Sequence, residues 1–386
     1  MIVLHGGSVV DATGTRTADV AIENGRIAAV GDVPADADRE IDVSGQFVTP
    51  GLIDAHVHLA FDGRPDVSTY RTENDYAGAY RVAANLETLL EVGVTTVRDL
   101  GSWGTMAIDA ARAVDEGTIA GPRVLAAGRA VTMTGGHGHW FAREADGPAD
   151  VRKAAREQLK GGAPVLKCIA TGGVLTTGSR TGAPELTRAE LEAAADVARA
   201  ADVPIAAHAH GAEGIVNAAE AGFDSVEHGT FMDADAAERL ADNGTYWVPT
   251  ANALYGIVEA GSDAGIPPEA VAKAERSLES FDDAFDHALA ADVPIAMGTD
   301  AGTPFNEFAA VPEELERLVD HGLSPEAALE AATVDAASLL GLDDVGLVDP
   351  SFRADLLVLD ANPLEDVTAW QRPATVVANG TIVKRP

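Results

Sequence analysis

The 386-residue chain holds one cysteine, Cys168, only five lysines, and few aromatic residues, 5% of the total. A single thiol excludes an internal disulfide and fits a reducing compartment. No stretch approaches the roughly 20 consecutive apolar residues of a membrane-spanning helix. The opening segment, MIVLHGGSVVDATG, lacks a basic stretch followed by an apolar run and a cleavage site, so the expected location is cytoplasmic. Positive charge is scarce as well: 27 Lys and Arg stand against 61 Asp and Glu, a formal net charge of −34. Nucleic-acid phosphates and anionic membranes repel such a surface, so neither is an expected partner. The acids are spread along periodic apolar segments and not blocked into a tail, which argues against an acidic disordered chain. They read as the surface of a protein adapted to high salt, a halophilic pattern.

The apolar fraction, 46%, is ordinary for a globular protein, and the length accommodates a barrel of roughly 250 residues plus a smaller unit. The two ends resemble each other. ADVAIENGRIAAVG is broken by Asn24-Gly25, and ATVVANGTIVK by Asn379-Gly380. Asn-Gly between apolar alternations predicts a hairpin with a type I′ turn. Residues 1–49 and 343–386 are therefore expected to meet as one composite β-unit with the body, 50–342, inserted between them.

That body alternates strand-like and helix-like segments. Buried-strand runs are expected at 52–59, 95–101, 122–128, 164–170, 204–210, 225–231, 246–251 and 294–300. Helical stretches lie between most of them, such as 186–201, where Thr187 and Glu190 have capping-box spacing, and another that opens with Ser324 as N-cap before Pro325. Eight β-then-α units predict an α/β fold, a (β/α)8 TIM barrel. An open doubly wound sheet would usually carry a Gly-rich phosphate turn after its first strand, and none is there.

In such barrels chemistry sits at the C-terminal strand ends, where this chain places its polar residues. His56 and His58 share a face at the end of the first strand, because alternate strand residues point the same way. Lys167 lies in the fourth strand, His208 and His210 in the fifth, His228 in the sixth, and Asp300 closes the eighth. Singly, each has an ordinary structural reading; together they converge on one mouth. Four imidazoles and a carboxylate suit a borderline divalent metal such as zinc. A lysine in an apolar strand has a depressed pKa, and its neutral amine can add carbon dioxide to give a carbamate able to bridge two cations. In the Gly-rich loop TGGHGHW, His137 and His139 are candidate substrate contacts, as is Tyr255 after the seventh strand. Arg98-Asp99 reads as a structural ion pair, and His5, His287 and His321 as surface residues.

VTPGLIDAHVHL, HAHG, EHG and GTDAG, with GVTTVRDLG, KCIATGGV and the closing ADLLVLDANPLED, closely resemble the amidohydrolase superfamily, in particular its imidazolonepropionase-like and Xaa-Pro dipeptidase (prolidase-like) branch. The resemblance covers essentially the whole chain. It implies a small β-sandwich built from both termini. It matches His56, His58 and Asp300 to the ligands of one metal, His208 and His228 to those of a second, and Lys167 to the carboxylated lysine bridging them. It also implies a homo-oligomer. Imidazolonepropionases have an acidic residue two positions after the strand-5 histidine; this chain has His210, which favours the dipeptidase side.

The expected activity is metal-dependent hydrolysis of a small amide, a dipeptide such as Xaa-Pro or an N-acyl amino acid, with two divalent ions and Asp300 as general base. His137, His139, His210 and Tyr255 are the expected substrate contacts. One rival is a one-metal cyclic amidohydrolase or deaminase; another is a non-catalytic barrel scaffold, which would have lost metal ligands that are all in place here.

The acidic surface generates a test of its own. The Debye length grows to about 30 Å at about 0.01 M salt, leaving carboxylate repulsion unscreened. The thermal midpoint should rise from dilute buffer into the molar range of potassium chloride; a flat or falling midpoint would refute the halophilic reading.

Overall fold

The computed structural model describes residues 1–34 and 37–384. Its body is a mixed α/β arrangement in which parallel strands alternate with helices. The strands Leu52–Val57, Val94–Asp99 and Leu166–Ile169 are buried at every position. This is the burial of parallel strands covered on both faces.

Parallel pairing joins Arg123–Ala126 to Val94–Asp99, and that strand to Leu52–Val57. A second parallel run joins Leu166–Ile169, Ile205–Gly211, Ser225–Phe231 and Tyr246–Val248. The eighth expected strand, 294–300, is not regular, yet it connects the two runs. It bridges Trp247 through Ile295 and Val57 through Ala301, and the Ala55 amide donates to the Met297 carbonyl at 2.9 Å. Its irregularity goes with contacts to the first strand: Asp54 accepts the Thr299 amide and hydroxyl, and Asp300 has φ 59°. A buried cluster of Leu100, Ala127, Val165 and Ala206 links the third and fourth segments, between which no strand pairing occurs among the described residues.

Helix Arg188–Ala201 begins as its sequence predicts, with Thr187 and Glu190 forming the reciprocal capping box. Ser324 caps Pro325–Ala331 by accepting the Ala327 amide. No helix among the described residues is long and apolar enough to cross a membrane.

Two further sheets lie at the chain ends, one of four strands from the N-terminal segment alone and one of six strands from both ends. Phe47–Pro50 pairs antiparallel with Leu356–Leu359, so the two ends share one sheet. One buried cluster, including Leu4, Val20, Val48, Leu356 and Val377, draws on both sheets. The Asn-Gly turns have positive φ at both positions: 52° and 78° at Asn24-Gly25, 48° and 72° at Asn379-Gly380. These turns also pack on each other, since a Cβ on Gly380 would lie 2.7 Å from Gly25 Cα. Glycine is thus required there twice over, by conformation and by contact.

Candidate metal centre

The strand ends bring two groups of potential metal ligands together. His56, His58 and Asp300 form one; His208, His210 and His228 form the other. In each, the ligand atoms lie within 4.8 Å of one another. The rings of His56 and His228 connect the groups, with centroids 5.2 Å apart.

Most of these rings are fixed through Nδ1. His56 Nδ1 donates to Glu227 at 2.8 Å and His58 Nδ1 to the Gly101 carbonyl at 2.8 Å. Both acceptors lack a proton, so Nδ1 of each ring keeps its own, and Nε2 offers a lone pair whenever that ring is neutral. The Thr250 hydroxyl donates to the Pro249 carbonyl and therefore accepts from His228 Nδ1, at 2.7 Å. His210 Nδ1 meets the Thr230 hydroxyl at 2.8 Å. Asp300 approaches His56 and His58 Nε2 at 3.3 and 3.1 Å.

Burial keeps most imidazoles neutral, the form that binds metal. It lowers His56 to about 4, helped by the Lys167 charge, and lowers His210 to about 4. His208 and His228 fall well below the ordinary histidine value, through burial and then their neighbours. His58 differs: burial pushes it down, but the Asp300 carboxylate outweighs that and raises it. Burial opposes ionisation of Asp300, yet His56, His58 and Lys167 hold its pKa below the usual value.

Lys167 is buried and its Nζ has no hydrogen-bond partner; burial lowers its pKa to about 8. Its charge lowers the pKa of His56, His208, His210 and His228. His208 Nε2 is likewise buried without a partner. Orphaned polar atoms of this kind are costly unless something binds them. Neutral imidazoles, a carboxylate and a lysine able to lose its proton fit divalent ions of the zinc type.

Sequence reasoning passed over the residue holding His56. Glu227 is fully buried, and although burial opposes its charge, Arg98 and Lys167 lower its pKa to about 2. Arg98 Nη2 donates to Glu227 at 3.0 Å and Nε to the Ala55 carbonyl at 2.6 Å. Arg98 therefore pairs with Glu227 and not, as expected, with Asp99. Asp99 instead accepts from the Leu59 amide and the Ser102 hydroxyl, fixing the turn after the first strand. A signal existed in the sequence: Glu227 sits inside a buried apolar strand, where a lone acid needs a cation.

The substrate-loop candidates separate. His137 lines the cavity with His210, and its ring stacks on His208 at 4.6 Å. Glu185 accepts the His137 amide at 2.7 Å. Thr176 Oγ1 accepts the Gly138 amide and lies 2.9 Å from His137 Nδ1. Every partner is satisfied when the Thr176 hydroxyl donates to Nδ1, leaving a proton on Nε2. Burial lowers the pKa of His137 to about 3, so the ring is neutral. His139 lies outside the cavity lining and bonds the Gly136 carbonyl through Nδ1. Tyr255 is also outside it: Arg317 covers its ring at 3.9 Å and its hydroxyl meets His321. His321 is no surface residue, being stacked on Phe285 at 4.7 Å.

A model of the amidohydrolase family matches residues 47–383. A curated relative, the ochratoxinase of Aspergillus niger, is 30% identical over all of this chain and 87% of its own length. Two solved structures superpose with a TM-score of 0.93 at 31% identity. One is a Xaa-Pro dipeptidase with methionine in its active site, matched over 99% of both chains. The other is a prolidase complexed with N-methylphosphonate-L-proline, matched over 100% of both.

One neighbour of His137 can be varied without touching a ligand. A Cβ on Gly173 would lie 2.5 Å from His137 Nε2. Gly173→Ala should displace the ring and lower kcat/KM at least about tenfold, with bound metal unchanged. Undiminished activity would show that the position of His137 does not matter.

Proposed function

We propose that this chain, which belongs to the amidohydrolase family, hydrolyses a small amide, either a dipeptide such as Xaa-Pro or an N-acyl amino acid. The observation that carries the reading is the pair of buried, partnerless nitrogens, Lys167 Nζ and His208 Nε2, beside two groups of ligand atoms. The eight parallel segments act as a closed (β/α)8 barrel over residues 50–342. Residues 1–49 and 343–386 form a composite β-sandwich that packs against it through Val10, Leu357 and Val376.

His56, His58 and Asp300 would hold one divalent ion, and His208 and His228 a second, with His210 beside them. Zinc suits the donor set. The neutral Lys167 amine would add carbon dioxide, releasing a proton, and the carbamate formed would supply an anionic ligand between the two groups. When bound, such ions lower the pKa of a water to about 7 and polarise a carbonyl. Asp300 takes the proton of the attacking water on its carboxylate and returns it to the leaving nitrogen. His137, neutral and protonated on Nε2, donates to the carbonyl oxygen as negative charge builds there. Glu227, anchored by Arg98, keeps the His56 Nδ1 proton in place so that Nε2 stays a ligand.

Replacing the proposed bridge and base separates their roles. Lys167→Ala should lose metal by elemental analysis and lose activity, with partial recovery when acetate or propionate is supplied. Asp300→Asn should lower kcat at least about 100-fold. Full metal content and activity in Lys167→Ala would overturn the bridging role.

A further inference from the structure

Two of the chain's five lysines are buried. Lys167 belongs to the candidate centre. Lys273 does not: it sits in the helix Pro268–Glu279, outside the cavity lining. A buried ammonium is costly unless it is paired, and Lys273 is paired twice. Its Nζ lies 2.9 Å from Glu269 Oε1 and donates to the Thr176 carbonyl at 2.9 Å. A Glu–Lys pair one turn apart on a helix adds little by itself. Here both side chains reach the same loop, because Glu269 also accepts the Gly178 amide at 3.1 Å. Donor to residue 176 and acceptor for residue 178, the pair grips a turn that the Ser179 amide closes on the Thr176 carbonyl.

The gripped loop runs from Thr171 to Pro184, which bridge each other, and no helix or longer strand lies between them. Val174 and Leu175 line the cavity, and Thr176 follows them. Among the described residues, the Thr176 hydroxyl is the one hydrogen-bond partner of the His137 side chain, 2.9 Å from Nδ1. Glu185 fixes the backbone here, accepting the His137 amide at 2.7 Å and the Ser179 hydroxyl at 3.1 Å. The rotation of the ring is left to Thr176. A loop without regular structure holds a side chain only as firmly as its own anchors hold the loop. For Thr176 the side-chain anchor is Lys273. Burial lowers the pKa of the His137 ring, and the charge of Lys273 adds to that.

We propose that Lys273 is a positioning residue for the hydrolysis: it fixes the Thr176 carbonyl, and through the Thr176 hydroxyl it sets the ring of His137 whose Nε2 proton meets the substrate's carbonyl oxygen. This rests on the reading above in which His137 is the oxyanion donor, and extends it to a helix that does not touch the cavity.

The test is a double-mutant cycle on the zinc-loaded full-length protein, assayed on its best substrate among Xaa-Pro dipeptides and N-acyl amino acids. Lys273→Met keeps the length of the side chain and removes both of its bonds. It should lower kcat at least about tenfold, with KM within about twofold and zinc content unchanged. His137→Ala should lower kcat at least about 100-fold. In that background Lys273→Met should cost less than about twofold more. A merely structural lysine would cost the same in both backgrounds. Thr176→Val, close in volume, breaks the link at its other end; it should show the same pattern and decides the matter if Lys273→Met does not fold. Undiminished kcat in Lys273→Met or in Thr176→Val overturns the proposal. So does an equal loss with and without the His137 ring, or loss of zinc from Lys273→Met. Undiminished kcat in His137→Ala overturns instead the reading of His137 as oxyanion donor, and this proposal with it.

Discussion

Bringing six imidazoles, a lysine and a carboxylate together at the ends of the parallel strands removes water from groups that need it. The chain recovers part of that cost on one side of the rings only. His56, His58, His137, His210 and His228 each bond the protein through Nδ1. Their other nitrogens face the same space as Lys167, whose Nζ has no partner. This asymmetry fixes tautomers before any ion arrives, so little reorganisation is left for binding. It also makes the apo arrangement costly, and metal affinity is what that cost is set against.

The supporting structure is organised around holding those nitrogens. His228, Thr250 and Asp300 adopt left-handed backbone, φ 71°, 58° and 59°. Such conformations cost about 1 kcal/mol or more each for residues with a Cβ. They are retained where the strand ends turn into the site. The buried Arg98–Glu227 pair ties the second strand to the sixth while Glu227 orients a ring on the first. Removing either partner would strand the other charge in the interior. Glu314 likewise accepts the amides of Ala251 and Asn252, fixing the helix that follows Thr250. Burial raises its pKa to about 8 despite those bonds.

The sequence makes some of this legible and hides the rest, for physical reasons. The i, i+2 histidines and the Asn-Gly turns are local patterns, and local geometry follows from them directly. The eighth strand was expected as regular, but Asp54 and Thr299 bend it through contacts 245 residues apart. No short window of sequence contains that interaction. Arg98 beside Asp99 invited a neighbouring pair, whereas strand alternation sends the two side chains opposite ways and Arg98 reaches Glu227 on the sixth strand. His139 and Tyr255 belong to elements that border the cavity, and only the rotation of each element decides whether a side chain enters. For Tyr255, the Arg317 guanidinium and His321 hold it on the outer side.

An anomalous-scattering map of the metal-loaded protein tests the central claim most directly. The account predicts two peaks, one among His56, His58 and Asp300 and one at His208 and His228, with extra density beyond Lys167 Nζ reaching both. A single peak, or two peaks with an unmodified Lys167 touching neither, would contradict it.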